Sequence, residues 1–111
     1  MGRILSTQMQ MSRRLCDLLQ WIHANGFECT LGEAHRTAEQ AAIYAADGRG
    51  INESLHRERL AIDLNIFKDG RWITSSDELK PVGLYWESIG GAWGGRFGDG
   101  NHFSFPIDGR R

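Results

Sequence analysis

The stretch Ala61-Ile62-Asp63-Leu64-Asn65-Ile66-Phe67-Lys68-Asp69-Gly70-Arg71-Trp72-Ile73-Thr74 decides the fold. Successive side chains of a strand point to opposite faces. Ile62, Leu64 and Ile66 therefore share one face of a strand over 61–67, and Asp63, Asn65 and Phe67 share the other. Lys68-Asp69-Gly70 turns the chain into a second strand near 71–74, the signature of a hairpin. A sheet with one apolar face needs a covering layer, and the sequence on both sides supplies helices.

On the N-terminal side, Leu15, Leu18, Leu19 and Ile22 recur at helical spacing. Ser6, Thr7 or Ser12 can cap that helix, and Asn25-Gly26 ends it, because glycine takes the left-handed terminal position cheaply. Residues 27–31 read as a short strand. Thr37 can cap a second helix, whose Ala38, Ala41, Ala42 and Ala45 give a flat face for close packing. Residues 47–53 read as a loop. Ser75 or Ser76 starts a third helix with Pro81 in its first turn, running to about Ile89 and stopping at Gly90-Gly91. A glycine-rich stretch containing Trp93 and Phe97 leads to a last strand over 102–105. Trp86, Trp93 and Phe97 could form an interaction surface, with core packing the simpler role. The order predicts a single α+β domain over 1–111, a small antiparallel sheet with helices packed on one side.

A chain of 111 residues can bury one core without disulfides. Its net charge of −1 gives no basic field for nucleic acid. No apolar run is long enough to span a bilayer, and the first residues lack the apolar core of a secretory signal. The expectation is a monomer made in a cytoplasm, with no membrane partner. Cys16 and Cys29 lack C-x-x-C spacing and read as buried free thiols.

The chemistry-bearing residues cluster in two places. His56 lies seven residues before Asp63, the one carboxylate within the strand over 61–67. Asp63 reads either as the solvated face of a half-buried strand or as a charge that needs a partner such as a metal. His102 follows Asp99 by three residues, with Gly98 and Gly100 allowing a tight turn between glycines. That pattern reads either as an Asp-Gly turn beside a satisfied histidine or as a carboxylate folded back toward whatever His102 binds. Two imidazoles and one carboxylate form a three-ligand set that leaves a position for water, and they also suit other transition metals. A further carboxylate beside that water can act as general base.

The segment Ser54-Leu55-His56 through Ala61-Ile62-Asp63-Leu64 resembles the motif S-x-H-x-x-G-x-A-x-D-L, and Asp99-Gly100-Asn101-His102-Phe103 resembles D-x-x-H-F. Upstream, HRTAEQAAIY resembles Y-R-T-x-x-Q-A-x-L-Y, and Trp93-Gly94-Gly95 matches W-G-G. These are motifs of the zinc D-alanyl-D-alanine carboxypeptidases and phage L-alanyl-D-glutamate endopeptidases, which share a hedgehog-like fold. The resemblance implies a zinc peptidase acting on peptidoglycan stem peptides. It implies His56, Asp63 and His102 as zinc ligands and Asp99 as general base. Arg36 would hold the scissile carbonyl or its oxyanion, and Ser54 would help shape the site near the metal; His35, where the family has a tyrosine, either faces the substrate or merely packs. The chain departs from the motifs at Arg59 (a glycine in the family), at Ser104 (a glutamate) and at His35 (a tyrosine). A different class, a catalytically weak zinc-containing binding module, is the alternative; Asp99 and Arg36 argue against it, since a pure binder needs neither.

Overall fold

The computed structural model describes residues 2–32 and 60–106. Its organising element is β2 (Ala61–Lys68), where Ile62, Leu64 and Ile66 are buried while Asp63, Asn65 and Phe67 are half-buried on the opposite face. β1 (Glu28–Leu31) pairs antiparallel with β2, Leu31 lying opposite Leu64 and Glu28 opposite Phe67. β3 (Arg71–Ile73) returns along β2 through Asp69-Gly70, both at positive φ (52° and 77°). That is the two-residue turn whose twist matches a hairpin. β5 (His102–Ser104) pairs antiparallel with the start of β2, and β4 (Ala92–Trp93) pairs antiparallel with β5.

Backbone groups of successive strand residues point to opposite edges. The Asp63 carbonyl accepts from the Gly32 amide at 2.8 Å, on the β1 side, whereas the Leu64 amide donates to the Asn101 carbonyl at 2.9 Å, on the β5 side. β3 and β5 therefore lie end to end along the edge of β2 that β1 leaves open.

Two helices cover the apolar face. α1 (Arg3–Ala24) contributes Met11, Leu18 and Ile22, and α2 (Ser76–Ser88) contributes Leu79, Val82 and Trp86, to one core with Leu60, Ile62, Leu64, Ile66 and Phe103. Trp21 of α1 stacks on Tyr85 of α2 with ring centres 5.2 Å apart, joining the two. The expected α+β layering is present.

Several local expectations need correction. α1 begins at Arg3, ahead of all three hydroxyls named as caps, and it has no side-chain cap. The Thr7 hydroxyl instead donates back to the Arg3 carbonyl (2.8 Å) and the Ser12 hydroxyl to the Met9 carbonyl (3.0 Å), the usual recourse of such residues inside a helix. Pro81 sits in the second turn of α2, where its missing N–H leaves the helix without one donor near its start. Ser75 is the cap, accepting from the Glu78 amide. The thiols are free, but Cys16 is exposed and Cys29 only partly buried; burial, then the neighbouring Glu28, pushes the Cys29 thiol up, keeping it protonated and unreactive. Trp86 and Trp93 are buried, while Phe97 is exposed. The helix expected after Thr37 and the loop over 47–53 lie outside the described residues.

α2 approaches the sheet closely because it carries a glycine. A Cβ on Gly83 would collide with the Trp93 ring. Gly to Ala within a helix ordinarily stabilises by about 1 kcal/mol. Here overpacking costs about 1–3 kcal/mol, so Gly83→Ala is expected to lower the urea midpoint; a raised midpoint would refute the close approach. A second expectation concerns pH. The Arg71 guanidinium, hydrogen-bonded to Glu78 at 2.6 Å, holds that carboxyl below its ordinary value and ties β3 to α2. A lowered folded-state pKa means the pair supports the fold above the unfolded glutamate pKa of about 4.3 and stops doing so as pH falls through the folded value. The stability gap between wild type and Glu78→Gln, read by denaturant titration, should be small and present at pH 7, and should shrink as pH falls below the unfolded glutamate value of about 4.3.

Candidate active site

Register decides which side chains meet. Residues directly opposite in an antiparallel pair share a face. Ile62 lies opposite Phe103, both buried; Asp63 then lies opposite His102 on the other face of the sheet. The two side chains face one another, with His102 Nδ1 3.4 Å from Asp63 Oδ1, and they are 19% and 26% exposed. A direct charge-assisted N–H···O bond is about 2.7–2.9 Å long. Two ligands each about 2.0–2.2 Å from one tetrahedral ion stand about 3.4 Å apart. The observed separation matches the second arrangement, and a nitrogen and an oxygen donor are the types zinc takes, so the pair fits such an ion. Among the described residues no group of three or more His, Cys, Asp or Glu side chains forms a metal cluster. His56, the third expected ligand, lies outside them, as do Arg36, Ser54 and His35. Both ends of that segment adjoin the pair: the chain leaves at Gly32, hydrogen-bonded to Asp63, and re-enters at Leu60.

Asp99 sits on the loop that feeds β5. A 3-10 turn (Gly94–Phe97) follows β4 and ends at Gly98 with φ 80°. The Asp99 amide donates to the Gly94 carbonyl at 2.9 Å, and the Asp99 carbonyl accepts from the His102 amide at 3.2 Å. The buried Trp93 indole N–H donates to the Gly100 carbonyl at 2.8 Å, clamping the loop from beneath. Gly94 makes this closure possible, since a Cβ there would run into the Asp99 carbonyl and stand 2.7 Å from His102 Cβ. Arg96 forks onto Glu87 of α2 at 2.7 and 3.0 Å, fixing the outer side of the turn. The exposed Asp99 lines a cleft of about 210 Å³ between this loop and the end of β3, with Trp72, Ile73, Thr74, Gly98, Gly100 and Asn101.

The sequence reading did not single out Gly94 or Trp72. Trp72 had a signal: once the turn is Asp69-Gly70, Lys68 pairs with Arg71 and Trp72 falls opposite Phe67, on the face that carries Asp63. Gly94 had only its place in W-G-G.

Residues 47–105, more than half the chain, match the family model described as D-alanyl-D-alanine carboxypeptidase. The chain belongs to that family. As a D-alanyl-D-alanine carboxypeptidase family member it is an enzyme, a metallopeptidase. Solved structures share the fold. The L-Ala D-Glu endopeptidase ChiX of Serratia marcescens superposes with a TM-score of 0.74 at 17% identity, over 87% of this chain and 78% of that one. A mutant of the vancomycin resistance D,D-pentapeptidase VanY, from a VanB-type resistance cassette and in complex with Zn(II), superposes with a TM-score of 0.61 at 19% identity, over 86% and 70%. No curated protein sequence matches the chain.

The loop geometry yields a test. Gly94→Ala should displace Asp99 and His102 while leaving the core intact. A misplacement near 1 Å costs about 10²-fold in rate. Peptidase activity should fall by roughly that factor with the circular dichroism spectrum unchanged; full activity would show that the loop tolerates a side chain there.

Proposed function

We propose that the chain is a zinc-dependent peptidase that hydrolyses amide bonds in peptidoglycan stem peptides, as an L-alanyl-D-glutamate endopeptidase of the phage lysis type acting at the bacterial wall. The observation that carries the proposal is the facing of Asp63 and His102 at 3.4 Å, with a cleft lined by Asp99 and Asn101 on the loop that leads into His102. The endopeptidase choice draws support from the likeness to ChiX. The family description favours a second reading, removal of a terminal D-alanine by a D,D-carboxypeptidase.

In this proposal Asp63 and His102 hold zinc together with His56. When bound, zinc supplies Lewis acidity and lowers the pKa of a bound water toward about 7. Asp99 accepts the proton of the attacking water and returns it to the leaving amine; a carboxylate serves because reach matters before intrinsic basicity. Its turn is held by the Gly94 and His102 backbone contacts, which fix the backbone that carries this carboxylate. Arg36 holds the developing oxyanion with fixed donors. His35 and Ser54 contact the substrate and shape the site. The indole clamp from Trp93 keeps the Asp99 loop from relaxing when the peptide binds.

Two variants separate the roles. Asp99→Asn should retain zinc by elemental analysis and lose about 10²–10⁴-fold in hydrolysis, the range for a general base. His102→Ala should lose both zinc and hydrolysis. Wild-type cleavage by Asp99→Asn would remove the base assignment, and stoichiometric zinc in His102→Ala would remove the ligand assignment. Fragment masses from purified peptidoglycan distinguish endopeptidase from carboxypeptidase.

A further inference from the structure

The face that carries Asp63 continues along the hairpin. Asp63, Asn65 and Phe67 lie on it, spaced by twos along β2, and Trp72 lies opposite Phe67. From Asp63 to Phe67 is about 13 Å, four residues at about 3.3 Å each. Trp72 is 58% exposed, a large flat ring left open to solvent. Thr74 follows the end of β3 and lines the same cleft as Trp72. Together with Asn101 they line the cleft of about 210 Å³ that also holds Asp99.

The chemistry of this lining is selective. Among the described residues it offers one exposed aromatic face, a hydroxyl and a carboxamide, and Asp99 is the ionisable side chain among them. Ile73 turns its side chain into the core, so no aliphatic pocket is formed. A purely apolar side chain would find one ring and no enclosure. Among the described lining residues a carboxylate of a stem peptide meets no cation, only the Asp99 carboxylate. A pyranose ring fits both demands: its C–H face lies on an indole, and its hydroxyl and acetamido groups reach donors and acceptors at the rim. The volume falls below the roughly 300–1,000 Å³ of drug-sized pockets, so it takes one ring rather than two.

The geometry points to Trp72 as a specificity-determining residue that binds the amino-sugar ring to which the stem peptide is attached, with Thr74 and Asn101 hydrogen-bonding the ring substituents. The choice of sugar-linked peptide rests on the peptidase reading above; the ring-binding surface itself does not. Trp72 selects substrates that still carry their sugar and takes no part in bond cleavage.

The test is equilibrium binding, because neither probe contains the scissile bond. The full chain is titrated calorimetrically with N-acetylmuramyl-L-alanine and with N-acetyl-L-alanine. The sugar-bearing probe should bind at least tenfold more tightly, Trp72→Ala should abolish that ratio, and Trp72→Tyr should keep most of it. Equal affinities in wild type, an unchanged ratio in Trp72→Ala, or no binding of the sugar-bearing probe at millimolar concentration would each overturn the inference. Trp72→Thr, a strand-favouring residue, replaces the alanine variant if that one fails to fold. A wild-type chain that shows the ratio yet releases no amine from peptidoglycan would sink the peptidase reading and leave this one standing; hydrolysis without the ratio would do the reverse.

Discussion

The pairing of Ile62 with Phe103 is the constraint on which the rest depends. Both side chains are fully or almost fully buried, between the sheet and its helices. A slip of one residue would turn every inward side chain outward, placing Asp63 in the core and Ile62 in solvent. Burying an unpaired carboxylate costs several kcal/mol, and exposing a large aliphatic side chain forfeits about 1.5–3 kcal/mol. The core therefore excludes the neighbouring registers and keeps Asp63 and His102 on the outer face of the sheet, where they stand opposite each other. Packing on one side of the sheet positions the chemistry on the other.

The second layer of control is polar. Trp86 donates its indole N–H to the Ser104 carbonyl at 2.9 Å, and Trp93 donates to Gly100 at 2.8 Å. A buried indole N–H without a partner would lose about 1–3 kcal/mol. These two contacts hold the end of β5 and the loop before it, so each ring both fills the core and fixes a backbone carbonyl. Phe103 and Phe105 pack edge-on and tilted against Trp86, completing the group. β5 is three residues long and would be marginal alone; its place comes from side chains beneath it.

Much of this was legible in the sequence where a local rule sufficed. The alternation over 61–67 gave the central strand and both of its faces. Asp69-Gly70 gave the hairpin, and Asn25-Gly26 the end of α1. Readings failed where local rules compete. Thr7 and Ser12 can cap a helix or bond back into it, and the helix extended past both because Arg3 to Met9 has no breaker. β4 and the 3-10 turn escaped notice because two residues acquire strand character only from their partner, and Trp93 reads the same in a loop. At the site, the motif spacing named Asp63, Asp99 and His102, but their separation, and the cleft Asp99 shares with Trp72, depend on pairing between strands distant in sequence.

The Trp93 ring touches two glycines, Gly83 on α2 and Gly95 after β4; a Cβ on either would strike it. The W-G-G signature thus has a fourth member in a helix, ten residues before Trp93, and the ring makes Gly83 and Gly95 depend on the same side chain. A descendant that shrinks Trp93 frees both positions for larger residues, and one that keeps Trp93 keeps both small. Related sequences should show that covariation, so a small residue at the position of Gly83 marks relatives whose loop is clamped in the same way, even where the shorter motifs have drifted.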